Sequence, residues 1–187
     1  MRGRHATGIM VVNPDGITYT KMPLPAELAI DTESWKEVMS TITNDTVAII
    51  GHVRFATNGD PFHNENNHPL NHLEMRSWYS ENDIEVDSQA IFDAINTKIK
   101  TGISPIDSIG ETLEEADGNM AIVVADNSRP DAVYLARDTN RPLVYLYNSK
   151  DNVLWIASTG AILRSANLKG ANLIGANLGW ANLSGVD

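Results

Sequence analysis

"GHVRFATNGD", residues 51–60, joins the apolar run at 47–50 to the turn-forming residues at 58–61. This order predicts a buried strand that ends in a loop and brings His52 and Arg54 to the start of that loop. A guanidinium at a strand end commonly forms a surface ion pair. It also suits the bidentate binding of a carboxylate, and the rest of the chain has to decide between the two.

Composition limits the kinds of partner. The chain has 187 residues, of which 42% are hydrophobic, and 14 basic against 24 acidic residues give a net charge of −10. Such a charge argues against binding to nucleic acid. The chain contains no cysteine, which excludes disulfides, thiolate metal sites and cysteine nucleophiles. It has neither an apolar run of about 20 residues nor a signal-peptide pattern, so we expect a cytoplasmic protein that does not enter a membrane.

The order of predicted elements indicates an α+β fold. A hairpin turns at Pro14–Gly16, and a strand covers 46–55. Helical spacing and capping residues predict helices over 32–43, 87–100 and 105–116, the first capped by Asp31 or Thr32 and the last by Ser104. Four short β-rich runs between 119 and 158 predict an antiparallel meander. Strands, then helices, then strands suggest packed layers of sheet and helix.

A repeat of five residues begins at Ala161. Steps of five residues advance a helix by about 140° and so distribute the repeated leucines around it, while in a strand they change face at each step. A coil that turns a corner every five residues directs them all to one axis. The repeat has alanine at 161, 166, 171, 176 and 181, and leucine at 163, 168, 173, 178 and 183.

This tail resembles the pentapeptide repeat family, whose members form a right-handed square β-helix. The resemblance implies a short β-helix over 161–187, after a first domain at 1–160. Five units give little more than one coil, and a solenoid normally needs several to be stable. We therefore expect the tail to require a neighbour, either the main domain or a second chain. The alternative is a linker-like tail that is docked on the main domain or ordered only in an assembly.

A second resemblance covers most of residues 2–160. It is carried by an ordered set of motifs: "RGRHATGI", "GHVRFATNG", "NNHPL", "VDSQAI", "DGNMAIVVAD", "ARDTNRPL" and "WIAST". The set resembles the glutaminase domain of class II glutamine amidotransferases, which belong to the N-terminal nucleophile hydrolases. The implied fold is a depleted four-layer αββα sandwich of antiparallel sheets.

The same resemblance gives roles to three residues. Arg54 corresponds to the arginine that holds the α-carboxylate of glutamine, and Asp87 to the aspartate that receives the α-ammonium group. Thr57 follows in the loop and would orient the ligand, while His52 would support the strand and loop. The implied partner is glutamine or glutamate, with no cofactor.

The family's catalytic groups have no counterpart in this chain. Its nucleophile is an N-terminal cysteine, and its oxyanion hole uses an Asn-Gly pair that is missing between Leu70 and Asn71. The sequence therefore predicts an inactive relative with no catalytic residue, although an enzymatic activity is left open. Two alternatives would restore activity. Cleavage before Thr7 could expose a threonine nucleophile. The reading frame could also be an incomplete version of an active enzyme whose cysteine precedes Met1, and a small genome such as that of a phage would suit such a truncation.

Two further readings belong to other classes of function. The chain could be a non-enzymatic interaction or scaffold protein that self-associates or binds a protein partner through 161–187. The loop could alternatively hold a metal through His63, His68 and His72, because imidazoles are common ligands. Since the family motif already accounts for His68, we assign no metal site.

Overall fold

The computed structural model describes residues 3–71 and 86–158, except 139, 142, 149 and 151. Within this part the chain is a mixture of helices and small sheets, as the α+β prediction requires. It divides into two units, one containing residues up to 116 together with 123–134, and the other containing 117–122 and the residues from 135 onward. The predicted β-helix over 161–187 lies outside the described residues.

The first unit is built on a three-stranded antiparallel sheet in the order β2-β1-β3. The strands are β1 (Ala6–Asn13), β2 (Gly16–Met22) and β3 (Ala48–Arg54). Asn13 pairs with Gly16, so the predicted hairpin is confirmed, with a two-residue turn. In the middle of the sheet Gly8 pairs with Lys21 on one side and with His52 on the other. Because directly opposite residues share a face, these three positions form one row across the sheet.

The opposite face of the sheet packs against a helix. Ile9 and Val11 of β1 form a core cluster with Val38 of α2 (Glu33–Ser40), and Trp35 and Ile42 pack at its border. The helix begins after Thr32, whose hydroxyl oxygen accepts a hydrogen bond from the backbone N–H of Trp35 at 3.4 Å. The predicted cap is confirmed, and the helix ends three residues before the predicted position 43.

The prediction that β3 is a buried strand was wrong. Ile49 and Val53 are 53% and 48% exposed, and Arg54 is the one residue of β3 that is buried. In the described sheet β3 lies at the edge, whereas β1 pairs on both sides and is buried almost throughout. An apolar run therefore indicated a strand correctly here but not its place in the sheet.

Two further helices match their predicted ranges closely. They are α3 (Asp87–Lys100) and α4 (Pro105–Glu115), and α4 is capped by Ser104, which accepts from the N–H of Asp107 at 3.2 Å. Lys98 of α3 joins them by ion pairs to Glu111 at 3.1 Å and Glu115 at 2.8 Å. None of the helices in the described ranges is long and apolar enough to cross a membrane. The sequence did not predict the short helix α1 (Ala26–Ala29) or the 3₁₀ helix Asn64–Asn66.

The remaining strands occur in the predicted order. They are β4 (Ala121–Ala125), β5 (Val133–Arg137), β6 (Val144–Asn148) and β7 (Val153–Ala157). In the part that the structure describes they pair as two separate ladders, β4 with β5 and β6 with β7, rather than as the continuous meander that we expected. The β6–β7 ladder is antiparallel.

Gly8 allows the loop after β3 to lie directly on the sheet. A Cβ atom built at Gly8 would lie 2.9 Å from Cδ of Pro69 and would overlap the carbonyl oxygen of His68. The carbonyl oxygen of His68 is a backbone atom, so a change of side-chain rotamer cannot remove this overlap. The close approach of residues 68–69 to β1 therefore requires the absence of a side chain at position 8.

We expect Gly8→Ala to lower the free energy of unfolding by about 1–3 kcal/mol, because the new methyl group displaces the loop backbone. Gly110→Ala is the matched control. Its Cβ would meet no atom within 4 Å in the interior of α4, so it should stabilise the protein by about 0.5–1 kcal/mol. Urea unfolding followed by circular dichroism measures both changes. A Gly8→Ala protein with an unchanged midpoint would contradict the close approach.

Candidate functional site

Arg54 fastens the loop that follows β3. The residue is 7% exposed, and its Nη1 donates to Oδ1 of Asn67 at 2.9 Å. Its Nη2 donates to the backbone carbonyls of Asn58 and, at 3.2 Å, of Gly59. A buried guanidinium is costly unless its donors meet acceptors, and here oxygen atoms from both ends of the loop supply them. Arg54 is therefore a buried residue rather than the exposed surface arginine considered from the sequence.

Asparagine side chains hold this loop together and attach it to the sheet. Asn66 and Asn67 are completely buried, and their side-chain amides donate to the carbonyls of Asp60 at 3.0 Å and Pro61 at 2.8 Å. Asn64 donates to the carbonyl of Lys21 in β2 at 2.8 Å. These bonds pair the backbone of an irregular segment that lies against the protein. We missed the network from sequence, where "NENN" at 64–67 was taken only as loop composition.

His5 fixes the start of the loop from the other direction. Its ring stacks on Phe55 with the ring centroids 4.7 Å apart, and its Nδ1 accepts the backbone N–H of Ala56 at 3.0 Å. The backbone N–H of His5 also donates to the carbonyl of Arg54 at 3.2 Å. The "RGRHATG" and "GHVRFAT" motifs are therefore in contact, which the order of motifs in the sequence did not reveal.

Two imidazoles lie against each other over the middle of the sheet, with their ring planes tilted by 56°. The ring centroids of His52 and His68 lie 4.3 Å apart, and the buried Nδ1 of His68 has no hydrogen-bond partner among the described residues. Burial, and then the charges of His52, Arg54 and Lys21, lower the pKa of His68 to about 3. His52 is exposed as a whole residue, but its ring is partly buried. This burial lowers the pKa of His52, and the positive charge of Arg54 lowers it further. Because both pKa values are lowered from the ordinary value, both rings are neutral at pH 7.

The three residues of the predicted clamp lie in different surroundings. Arg54 is buried beneath the loop, whereas Thr57 is exposed at the beginning of that loop. Asp87 is exposed at the first position of α3, where its carboxylate accepts the backbone N–H of Ser88 at 2.8 Å. The structure thus associates Arg54 with the loop that carries Thr57, and it places Asp87 on a separate element of the same unit.

The "ARDTNRPL" motif forms a turn in the second unit. The carboxylate of Asp138 accepts backbone N–H groups from Met120 at 2.5 Å, Asn140 at 2.6 Å and Arg141 at 3.0 Å. Desolvation raises the pKa of Asp138, but these backbone bonds outweigh it and lower the pKa below its usual value. Arg141 also donates to the carbonyl of Asn119 at 3.1 Å. The described side chains of this motif thus hold the backbone of the turn and of residues 119–120 in place.

The histidine-rich loop offers a metal few ligands in the part of the chain that is described. No group of three or more histidine or acidic residues with metal-binding geometry occurs there. The third histidine of the alternative metal site, His72, lies outside the described residues.

Comparison with known proteins finds two kinds of similarity. Residues 159–187 match the family Pentapeptide repeats, in 8 copies. The chain is also 26% identical over 163 residues to glutamine--fructose-6-phosphate aminotransferase [isomerizing] from two strains of Staphylococcus epidermidis. That match covers 76% of this chain and 26% of each relative, so the chain spans about a quarter of the length of the relatives it matches.

The contacting pair His52 and His68 leads to a prediction about stability in acid. An unfolded histidine binds a proton as the pH falls through about 6.5, whereas His52 and His68 resist protonation in the folded protein. The unfolded state therefore takes up more protons, and stability falls as the pH decreases from 7 to 5. Each histidine adds at most about 1.4 kcal/mol per pH unit to that slope.

Urea unfolding at several values between pH 5 and pH 7 measures this slope. We expect it to be shallower in the double variant His52→Gln/His68→Gln, whatever its absolute stability. His63→Gln, which changes an exposed histidine of the same loop, should retain the slope of the original protein. Equal slopes in the original and double-variant proteins would show that His52 and His68 are not the source of the pH dependence.

Proposed function

We propose that residues 1–160 form a glutaminase-like domain of the class II amidotransferase type, which binds glutamine or glutamate and does not hydrolyse it. The observation that carries this proposal is the buried guanidinium of Arg54 at the end of β3. The similarity to an enzyme whose name includes glutamine supports the proposal. We include in the proposal the depleted four-layer αββα arrangement of antiparallel sheets, which the same similarity supports.

The proposed ligand is a free amino acid held at both of its charges. Its carboxylate takes the place of loop oxygens on Arg54, for which a planar fork of donors is suited. Thr57 contributes from the exposed start of the loop, and Asp87 receives the ammonium group. Because the ligand must displace existing hydrogen bonds, binding is weak, with a Kd on the order of 1 mM and a free energy of about −4 kcal/mol.

Hydrolysis lacks its nucleophile in this chain. The 187 residues include no cysteine. Thr7, the alternative nucleophile, is 3% exposed in the central strand, and its hydroxyl donates to the carbonyl of Leu24 at 2.9 Å. The missing Asn-Gly pair compounds the loss, since one oxyanion donor alone is typically worth about 100- to 1,000-fold in rate.

A second candidate function is assembly. The pentapeptide repeats at 159–187 favour it, because stacked repeats bury their apolar side chains against neighbouring units. In this alternative the first domain has no enzymatic role and only carries the repeats. The repeats bind a protein partner or another copy of the chain. Glutamine binding and assembly are separate properties, and one chain can have both.

We expect isothermal titration calorimetry to detect weak binding of L-glutamine or L-glutamate. Arg54→Ala should abolish it, and Asp87→Ala should weaken it by about tenfold, because an ion pair with the ammonium group is lost. Glutaramic acid lacks that group, so its binding should be the same to Asp87→Ala as to the original chain. Asp93→Ala, also on α3, is the control. Absence of heat with millimolar ligand would refute the proposed binding function.

We also expect the purified 187-residue chain to release no ammonia from glutamine above the background rate. The reason is the combined loss of the nucleophile and the oxyanion donors. A coupled glutamate dehydrogenase assay measures the release. Turnover that disappears in Thr7→Val would identify the threonine as a nucleophile, and turnover that persists would reveal a different one.

A further inference from the structure

The β6–β7 ladder carries an exposed apolar surface. Tyr145 pairs with Ile156, and Leu154 lies two residues before Ile156 on the same strand. Side chains two residues apart and directly opposite residues share a face, so these three residues form one surface, here called the Tyr145 face. Tyr145 is 52% exposed and Leu154 is 50% exposed.

In the part of the chain that the structure describes, this ladder has two strands. A two-stranded ladder is marginally stable in water unless its apolar side chains pack against another element. Adjacent exposed apolar side chains commonly mark a place of interaction. On the other face, Val144 and Ala157 pair at the end of the ladder from which the chain continues to residue 159, and they are 8% and 5% exposed. Farther along that face, Trp155 and Val153 are 50% and 38% exposed. At the end of the ladder next to residue 159, the Tyr145 face is therefore the more exposed of the two.

The chain itself provides an occupant of the right chemistry. β7 ends at Ala157, and the match to pentapeptide repeats begins two residues later, at 159. The segment 159–187 has alanine and leucine at regular five-residue steps and only three charged residues, Arg164, Lys169 and Asp187. The first coil of a repeat stack has no preceding coil to cover its apolar residues, so it needs a cap.

We propose that the beginning of the segment 159–187 docks on the Tyr145 face of the same chain, so that the β6–β7 ladder caps the repeats. The short connection holds the segment next to the ladder at a high effective concentration, which favours docking within one chain over binding to a second copy. Docking covers Tyr145 and Leu154, and it leaves the later repeats for the assembly described as the second candidate function. It does not depend on glutamine binding.

Hydrogen exchange measured by mass spectrometry on the full-length chain tests the proposal. The double variant Tyr145→Ser/Leu154→Ser should accelerate amide exchange within 159–187 by at least about tenfold, because it removes the apolar contact. Val153→Ser alters an apolar residue of β7 on the opposite face, 38% exposed, and should change that exchange by less than about twofold. Equal exchange in the original and double-variant proteins would overturn the proposal.

A second variant, changed in the repeats instead of the ladder, distinguishes loss of docking from unfolding of the ladder. Leu163→Ser/Leu168→Ser leaves the ladder sequence intact, and we expect it to accelerate exchange at residues 153–157. No change at those residues would refute docking. Light scattering and exchange at two protein concentrations identify the occupant. Protection that is independent of concentration supports docking within one chain, whereas protection that disappears on dilution shows a second copy on the face and overturns the proposal.

Discussion

The described site depends on the burial of one charge, the guanidinium of Arg54. Once the end of β3 brings this group under the loop, its donors must find oxygen atoms there, since an unpaired buried charge is far too costly. The carbonyls of Asn58 and Gly59 and the side chain of Asn67 meet this need from two distant parts of the loop. The loop therefore closes around the charge, and the side chains of Asn66 and Asn67 pair the carbonyls of Asp60 and Pro61.

The same guanidinium has two competing uses. In the proposed function it binds the carboxylate of an amino acid, whereas in the structure it organises residues 58–67. A carboxylate is the stronger acceptor because it is charged, but to reach Arg54 it must release loop carbonyls that then need other donors. The net gain is the difference between these contributions. A site of this kind couples ligand binding to loop rearrangement, and its affinity reports the stability of the loop as much as the fit of the ligand.

Sequence patterns predicted local structure better than tertiary position. Thr32 and Ser104 marked the starts of two helices because a cap is decided within four residues of chain. The exposure of Ile49 and Val53 was missed because it depends on the place of β3 at the edge of the sheet, which periodicity does not encode. Arg54 was identified as important, but its acceptor Asn67 lies 13 residues away in an irregular segment with no repeating pattern.

The contact between Gly8 and the backbone of residues 68–69 also constrains how this sequence can change. Any larger residue at position 8 is compatible with the fold only after the loop has moved away from β1. A lifted loop, in turn, leaves the imidazole of His68 without the surface on which it lies. The two regions are therefore epistatic: a substitution at position 8 and a rearrangement of the loop are each harmful alone, so the effect of either change depends on whether the other is present.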